Sequence, residues 1–104
     1  MQIDIKAHDF PLTDALRSHA ERRLRSALTC CGEHIRRVAM RLSDINGPRG
    51  GSDKRCHLQV VLTGLPDLVV EDTEADLYVA INRAADRAGR TLVRRIERRQ
   101  TLLK

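Results

Sequence analysis

From Leu77 to Ile96 the apolar residues Leu77, Ile81, Ala84, Ala85, Ala88, Leu92 and Ile96 return every three or four positions. At about 100° per residue they form one stripe of a long α-helix. Such a helix gains its stability by laying that stripe on another surface. Thr73-Glu74-Ala75-Asp76 supplies a capping-box-like start, and the pattern carries the helix to about Gln100. A chain of 104 residues is the usual size of one domain, and two cores would each be too small. Residues 1–104 are therefore read as a single domain whose earlier segments receive the helix.

Those segments read as strands and one further helix. Residues 2–7 alternate, with Ile3 and Ile5 on one side and Gln2, Asp4 and Lys6 on the other. Asp9-Phe10-Pro11 breaks the strand, Thr13 is the expected N-cap, and Leu16, Ala20, Leu24, Ala27 and Leu28 form a second helical stripe. Gly32 follows as a stop signal. From His34 to about Ile45 the period changes to two: Val38, Met40 and Leu42 face one way, Arg37, Arg41 and Ser43 the other. Residues 46–54 read as a turn or loop, and Cys56, Leu58, Val60 and Leu62 alternate with His57, Gln59, Val61 and Thr63 in a third strand. Gly64-Leu65-Pro66 turns the chain into a short fourth strand near Leu68–Glu71. The order β-α-β-β-β-α predicts a parallel opening pair followed by an antiparallel meander. The fold class is α/β (α+β): a two-layer sandwich, with two helices on one face of a four-stranded mixed sheet.

Only Phe10 and Tyr78 are aromatic, so the core must come from Leu, Ile, Val, Met and Ala, and stacking of bases on aromatic platforms has almost no residues to use. The net charge of +5 points to an anionic partner. Lysine occurs only at Lys6, Lys54 and Lys104, which leaves 16 arginines among the 19 basic residues. Guanidinium grips phosphate oxygens two at a time, whereas ammonium acts as a point charge.

On the final helix Arg83, Arg87, Arg90, Arg94 and Arg98 have spacings of 4, 3, 4 and 4. They fall within an arc of about 80°, away from the apolar stripe, and extend over about 22 Å, enough to follow several phosphates. Asp86 and Glu97 lie to the side, while Asp72, Glu74 and Asp76 cluster at the helix start. Acid-first, base-last order also complements the helix macrodipole, so part of the pattern is ordinary helix stabilisation. Arg95 and Arg99 fall on the apolar side, where either the helix overhangs the sheet or the side chains reach around its edge. Arg17, Arg22, Arg23 and Arg25 are spread around the first helix.

Other chemistries find little support. Cys30 and Cys31 are adjacent, and Cys56 and His57 belong to opposite strand faces, so they do not make a zinc site with His34. Gly47, Gly50 and Gly51 lack the Lys-Ser/Thr and following helix of a phosphate-binding loop. They read as a hairpin loop, with Arg49 and Lys54 as further candidates to touch RNA. No nucleophile–base arrangement is identifiable, and Asp86 reads as an ion-pair partner of arginine rather than a catalytic acid. The reading is a non-enzyme without metal or cofactor. No apolar run is long enough to span a bilayer, and three thiols with two adjacent suit a reducing cytoplasm.

The stretches MQIDIKAHDFPLTDALRSHAERRL and EADLYVAINRAADRAGRTLVRRIERR resemble the short form of the ribosome hibernation promoting factor family, also called ribosome-associated inhibitor or sigma-54 modulation protein. Thr13, Ala15, Leu16 and Arg17 match its helix-one opening; Asp76, Tyr78, Ala80 and Ile81 match its D-x-Y-x-A-I. Basic residues follow at family-like places in Arg87, Arg90, Arg94 and Arg98. The departures are Asn82 for the usual acid, Gly89, which interrupts the helix, and Cys30-Cys31 where an aromatic is common. The resemblance implies a βαβββα fold that binds 16S ribosomal RNA of the small subunit in the decoding channel, blocks messenger and transfer RNA, and keeps stored ribosomes idle. A separate ribosome modulation factor is an implied further partner; a membrane or small-molecule substrate is not. The RNA-binding residues are then expected to be Arg83, Arg87, Arg90, Arg94, Arg95 and Arg98, with Arg17, Arg22 and Arg23 from the first helix. Two alternatives remain at this point: a protein-interaction module acting on the sigma-54 transcription machinery, and a general double-stranded RNA binder.

Overall fold

The computed structural model describes residues 1–45 and 53–102. In chain order they form β1 (Gln2–His8), α1 (Asp14–Leu28), a 3-10 helix (Thr29–His34), β2 (Ile35–Asp44), β3 (Lys54–Leu62), β4 (Leu68–Glu74) and α2 (Leu77–Leu102). The four strands make one sheet in the order β1-β2-β3-β4; β1 and β2 are parallel and the other pairs antiparallel. This is the two-layer mixed-sheet architecture that the two hydrophobic periods predict. Gly47, Gly50, Gly51 and Arg49, read as a hairpin loop, lie outside the described residues.

Register explains why one sheet face is the core. Val38 is opposite Val60, Met40 opposite Leu58 and Leu42 opposite Cys56, while Leu58 and Val60 are opposite Val70 and Leu68 on the far side. All are buried, together with Ile5 from β1. The helices close this face with Leu16, Ala20, Leu24 and Leu28 from α1 and Ala80, Ile81, Ala84, Ala85, Ala88, Leu92 and Ile96 from α2. No aromatic residue belongs to the buried core: Phe10 is half-buried and Tyr78 is 41% exposed. Aliphatic side chains, joined by Cys31 and Cys56, fill it instead.

Three readings of the sequence are corrected by the structure. β4 continues to Glu74, because Lys54 and Arg55 at the start of β3 pair with Glu74 and Thr73. Thr73 and Glu74 are therefore strand residues, and the capping-box start is corrected. The helix is instead capped by Asp76, whose carboxylate accepts from the Tyr78 amide at 2.8 Å while its carbonyl accepts from Ala80 at 3.1 Å. Gly32 is not a left-handed helix stop; α1 passes at Thr29 into the 3-10 helix, and Gly64 is the positive-φ glycine among the described residues. The third correction concerns Gly89. It does not interrupt α2, which runs unbroken from Leu77 to Leu102.

Candidate nucleic-acid interface

The seam between α1 and α2 decides which side of each helix remains free. His19, Arg23 and Ala27, one turn apart on α1, meet Asn82, Asp86 and Gly89 on α2 in that order. The His19 ring and the Asn82 amide oxygen are 2.8 Å apart, and Tyr78 meets the same ring edge-on with centroids 4.7 Å apart. Arg23 pairs with Asp86 at 2.6 Å. A Cβ at Gly89 would lie 2.7 Å from the Ala27 carbonyl oxygen, so the helix backbones meet there. Asp86 is thus an ion-pair partner, on an arginine of the other helix.

On the other flank α2 lies along β4. Arg87 donates to the Glu71 carbonyl at 3.0 Å and approaches Asp72 at 3.5 Å; Arg83 is 3.7 Å from Glu74. The first two arginines of the row are thereby held by the edge strand. Arg90, Arg94 and Arg98 continue the row along the exposed side, and none forms an ion pair among the described residues. Arg99 wraps onto the turn between β3 and β4, donating to the Gly64 carbonyl. This is the second of the two readings for the apolar-side arginines: the side chain reaches around the sheet. Arg95 and Arg98 flank the same turn beside Leu65.

The first-helix candidates do not gather in one place. Arg22 is exposed, Arg23 is committed to the seam, and Arg17 lies about 120° around the helix from Arg23. Neither Arg17 nor Arg22 forms an ion pair among the described residues. Lys54 is engaged as well. It bonds Asp44 at 3.0 Å and the buried Asp53 at 3.1 Å; these bonds, to Asp44 first, raise its pKa against the opposing effect of desolvation.

Cys56 points into the core and His57 to the opposite sheet face, and no group of three or more His, Cys, Asp or Glu among the described residues could hold an ion. No helix among them is long and apolar enough to cross a membrane. Outside the expected binding set, Lys6, Arg37 and Arg41 share the sheet face that neither helix covers. The alternation of β2 had already placed Arg37 and Arg41 there; their proximity to Lys6 depends on a parallel register that sequence does not display.

Residues 3–100 match the family described as sigma 54 modulation protein / S30EA ribosomal protein. Among solved structures, the N-terminal domain of Protein Y from Thermus thermophilus is 30% identical with a TM-score of 0.75, over 90% of this chain and 98% of that one. A ribosomal subunit interface protein from Coxiella burnetii has a TM-score of 0.80 at 18% identity, over 93% and 99%, a likeness of fold alone. No curated protein matches significantly in sequence.

Proposed function

The chain belongs to the sigma 54 modulation protein / S30EA ribosomal protein family, and from that premise we propose that it binds 16S ribosomal RNA of the small ribosomal subunit and holds the ribosome inactive. The observation that carries this reading is the exposed row Arg90, Arg94 and Arg98, a line of guanidinium groups without carboxylate partners among the described residues. Along a helix these groups match a run of phosphates, and their binding releases counterions. Arg95 and Arg22 extend the positive surface; Arg17 makes a separate contact on the far side of α1.

The mechanism is occlusion without a chemical step. The aliphatic two-layer core makes a rigid body, the arginines fix it to RNA, and in the decoding channel that body takes the space of messenger and transfer RNA. A role on the ribosome places it in the cytoplasm, where a separate small modulation factor would complete ribosome pairing. Sucrose-gradient sedimentation of the protein with purified ribosomes tests the proposal. The protein should travel with small subunits and whole ribosomes at low salt and leave them as salt rises. Failure to travel with either at low salt would refute it.

A further inference from the structure

The helix-free face of the sheet carries a second concentration of positive charge. Parallel pairing sets Lys6 beside Arg41, and antiparallel pairing sets Arg41 beside His57. The next row is Asp4, Ala39 and Gln59, and Arg37 follows on β2. Ala39 is short among long neighbours. The result is a cleft of about 260 Å³ lined by Asp4, Lys6, Arg37, Arg41, His57 and Gln59.

Cross-strand neighbours of like charge destabilise a sheet. Lys6 and Arg41 are such a pair, and neither they nor Arg37 has an ion-pair partner among the described residues. Arg55, farther along the same face, has Glu71 at 3.7 Å. The Gln59 amide donates to Asp67 at 2.8 Å, which leaves its carbonyl oxygen as an acceptor toward the cleft. The cleft thus offers two guanidinium forks and an ammonium, with the Asp4 carboxylate beside them as an acceptor. A phosphodiester flanked by a ribose satisfies both parts: its oxygens take the cationic donors and a 2′-hydroxyl donates to Asp4. The volume is below the ~300–1,000 Å³ typical of sites that enclose a small molecule, and the exposed apolar neighbour on this face, Val69 opposite Gln59, is too small an anchor for a bilayer.

We propose that this cleft is a second RNA seat, holding one phosphodiester through Lys6, Arg37 and Arg41 on the sheet face that neither helix covers. The domain is then gripped by RNA from both layers. The inference rests on the RNA-binding reading above, but its residues are separate from the arginine row of α2.

The test compares wild type, Arg37→Ala/Arg41→Ala and Arg90→Ala/Arg94→Ala for affinity to purified small subunits over a range of salt. The sheet variant should bind about ten-fold more weakly or worse. Its log-affinity against log-salt slope should be shallower by roughly 1, the release expected from one phosphate. Its thermal midpoint should be unchanged or higher, because a like-charge pair has gone. Unaltered affinity and slope in the sheet variant, with binding weakened in the helix variant, would overturn the cleft and leave the RNA-binding reading standing. Weaker binding at an unchanged slope would mean that the cleft meets protein, which also overturns it. If wild type itself does not bind subunits, titration of the labelled protein with a short RNA hairpin decides separately. Shifts at the Arg37 and Arg41 Nε–H signals support the seat, and their absence overturns it.

Discussion

Gly89 faces the main-chain oxygen of Ala27 so closely that a Cβ on it would stand 2.7 Å from that oxygen. Backbone, rather than a flexible side-chain end, occupies the space. Alanine in a helix interior is ordinarily better than glycine by about 1 kcal/mol. At this crossing the extra carbon must push α1 away from α2, and overpacking of this kind costs about 1–3 kcal/mol. Gly89→Ala is therefore expected to lower the thermal midpoint despite its better helix propensity. A midpoint equal to or above wild type in thermal unfolding would show that the seam can widen without loss.

The charge bridge beside it is weaker than its length suggests. Arg23 and Asp86 are 2.6 Å apart, yet their side chains keep 33% and 49% of their exposure, so solvent screens them. A double-mutant cycle in urea should give a coupling of about 0.2–1 kcal/mol that shrinks in high salt. The Arg23 Nε is buried with no partner among the described residues, so Arg23→Met also removes an unpaired donor. It should cost less than Asp86→Ala, which leaves the half-buried guanidinium without its carboxylate. The opposite order would show that the stem of Arg23 packs poorly when replaced.

These two helix-seam pairs mark where the sequence was legible and where it was not. Periods of two and of about 3.6 placed every strand and both helices, because Val38, Met40 and Leu42 or Leu16, Ala20 and Leu24 report their own local geometry. Asp76 was hidden among equivalent capping candidates until the pairing of Lys54 with Glu74 extended β4 and moved the helix start. Gly89 read as an interruption because its reason lies 62 positions earlier, at Ala27. The arginine row was visible as a row. Its division was not, since the partners of Arg83 and Arg87 come from β4 and depend on how α2 lies across the sheet.

Cys56 should set part of the alkaline limit of the fold. Burial, reinforced by the Asp72 charge, pushes its thiol from 9.0 up to about 12. Below pH 9 both folded and unfolded chains hold this proton, and the thiol adds no pH dependence. Between about 9 and about 12 the unfolded chain releases it while the folded chain does not, so stability falls as pH rises through that window. Urea midpoints across the window should fall less steeply in Cys56→Ala than in wild type, from a lower start because of the cavity. Parallel slopes would contradict the assignment. In the native protein near neutral pH, iodoacetamide should label the exposed Cys30 before the buried Cys31 and Cys56.

The division of the arginine row predicts two different phenotypes from similar substitutions. Arg83 and Arg87 are held by Glu74, Asp72 and the Glu71 carbonyl, and so fasten α2 to the edge strand. Arg83→Ala/Arg87→Ala should lower stability by about 1–3 kcal/mol, through the missing main-chain bond and the loss of the cation beside Asp72, whose side chain keeps only 11% of its exposure. Because those groups already have carboxylates nearby, they release few counterions on binding RNA, and the salt slope should change by less than about 1. Arg90, Arg94 and Arg98 form no ion pairs among the described residues. Replacing all three by alanine should leave the thermal midpoint near wild type, yet flatten the slope by roughly 3, about 0.9 for each phosphate no longer neutralised. Flattening by about 2 in the first variant and about 3 in the second would mean that Glu74 and Asp72 surrender their arginines on the ribosome, so that all five rungs meet RNA. Flattening by the first pair alone would move the RNA surface to the start of the helix.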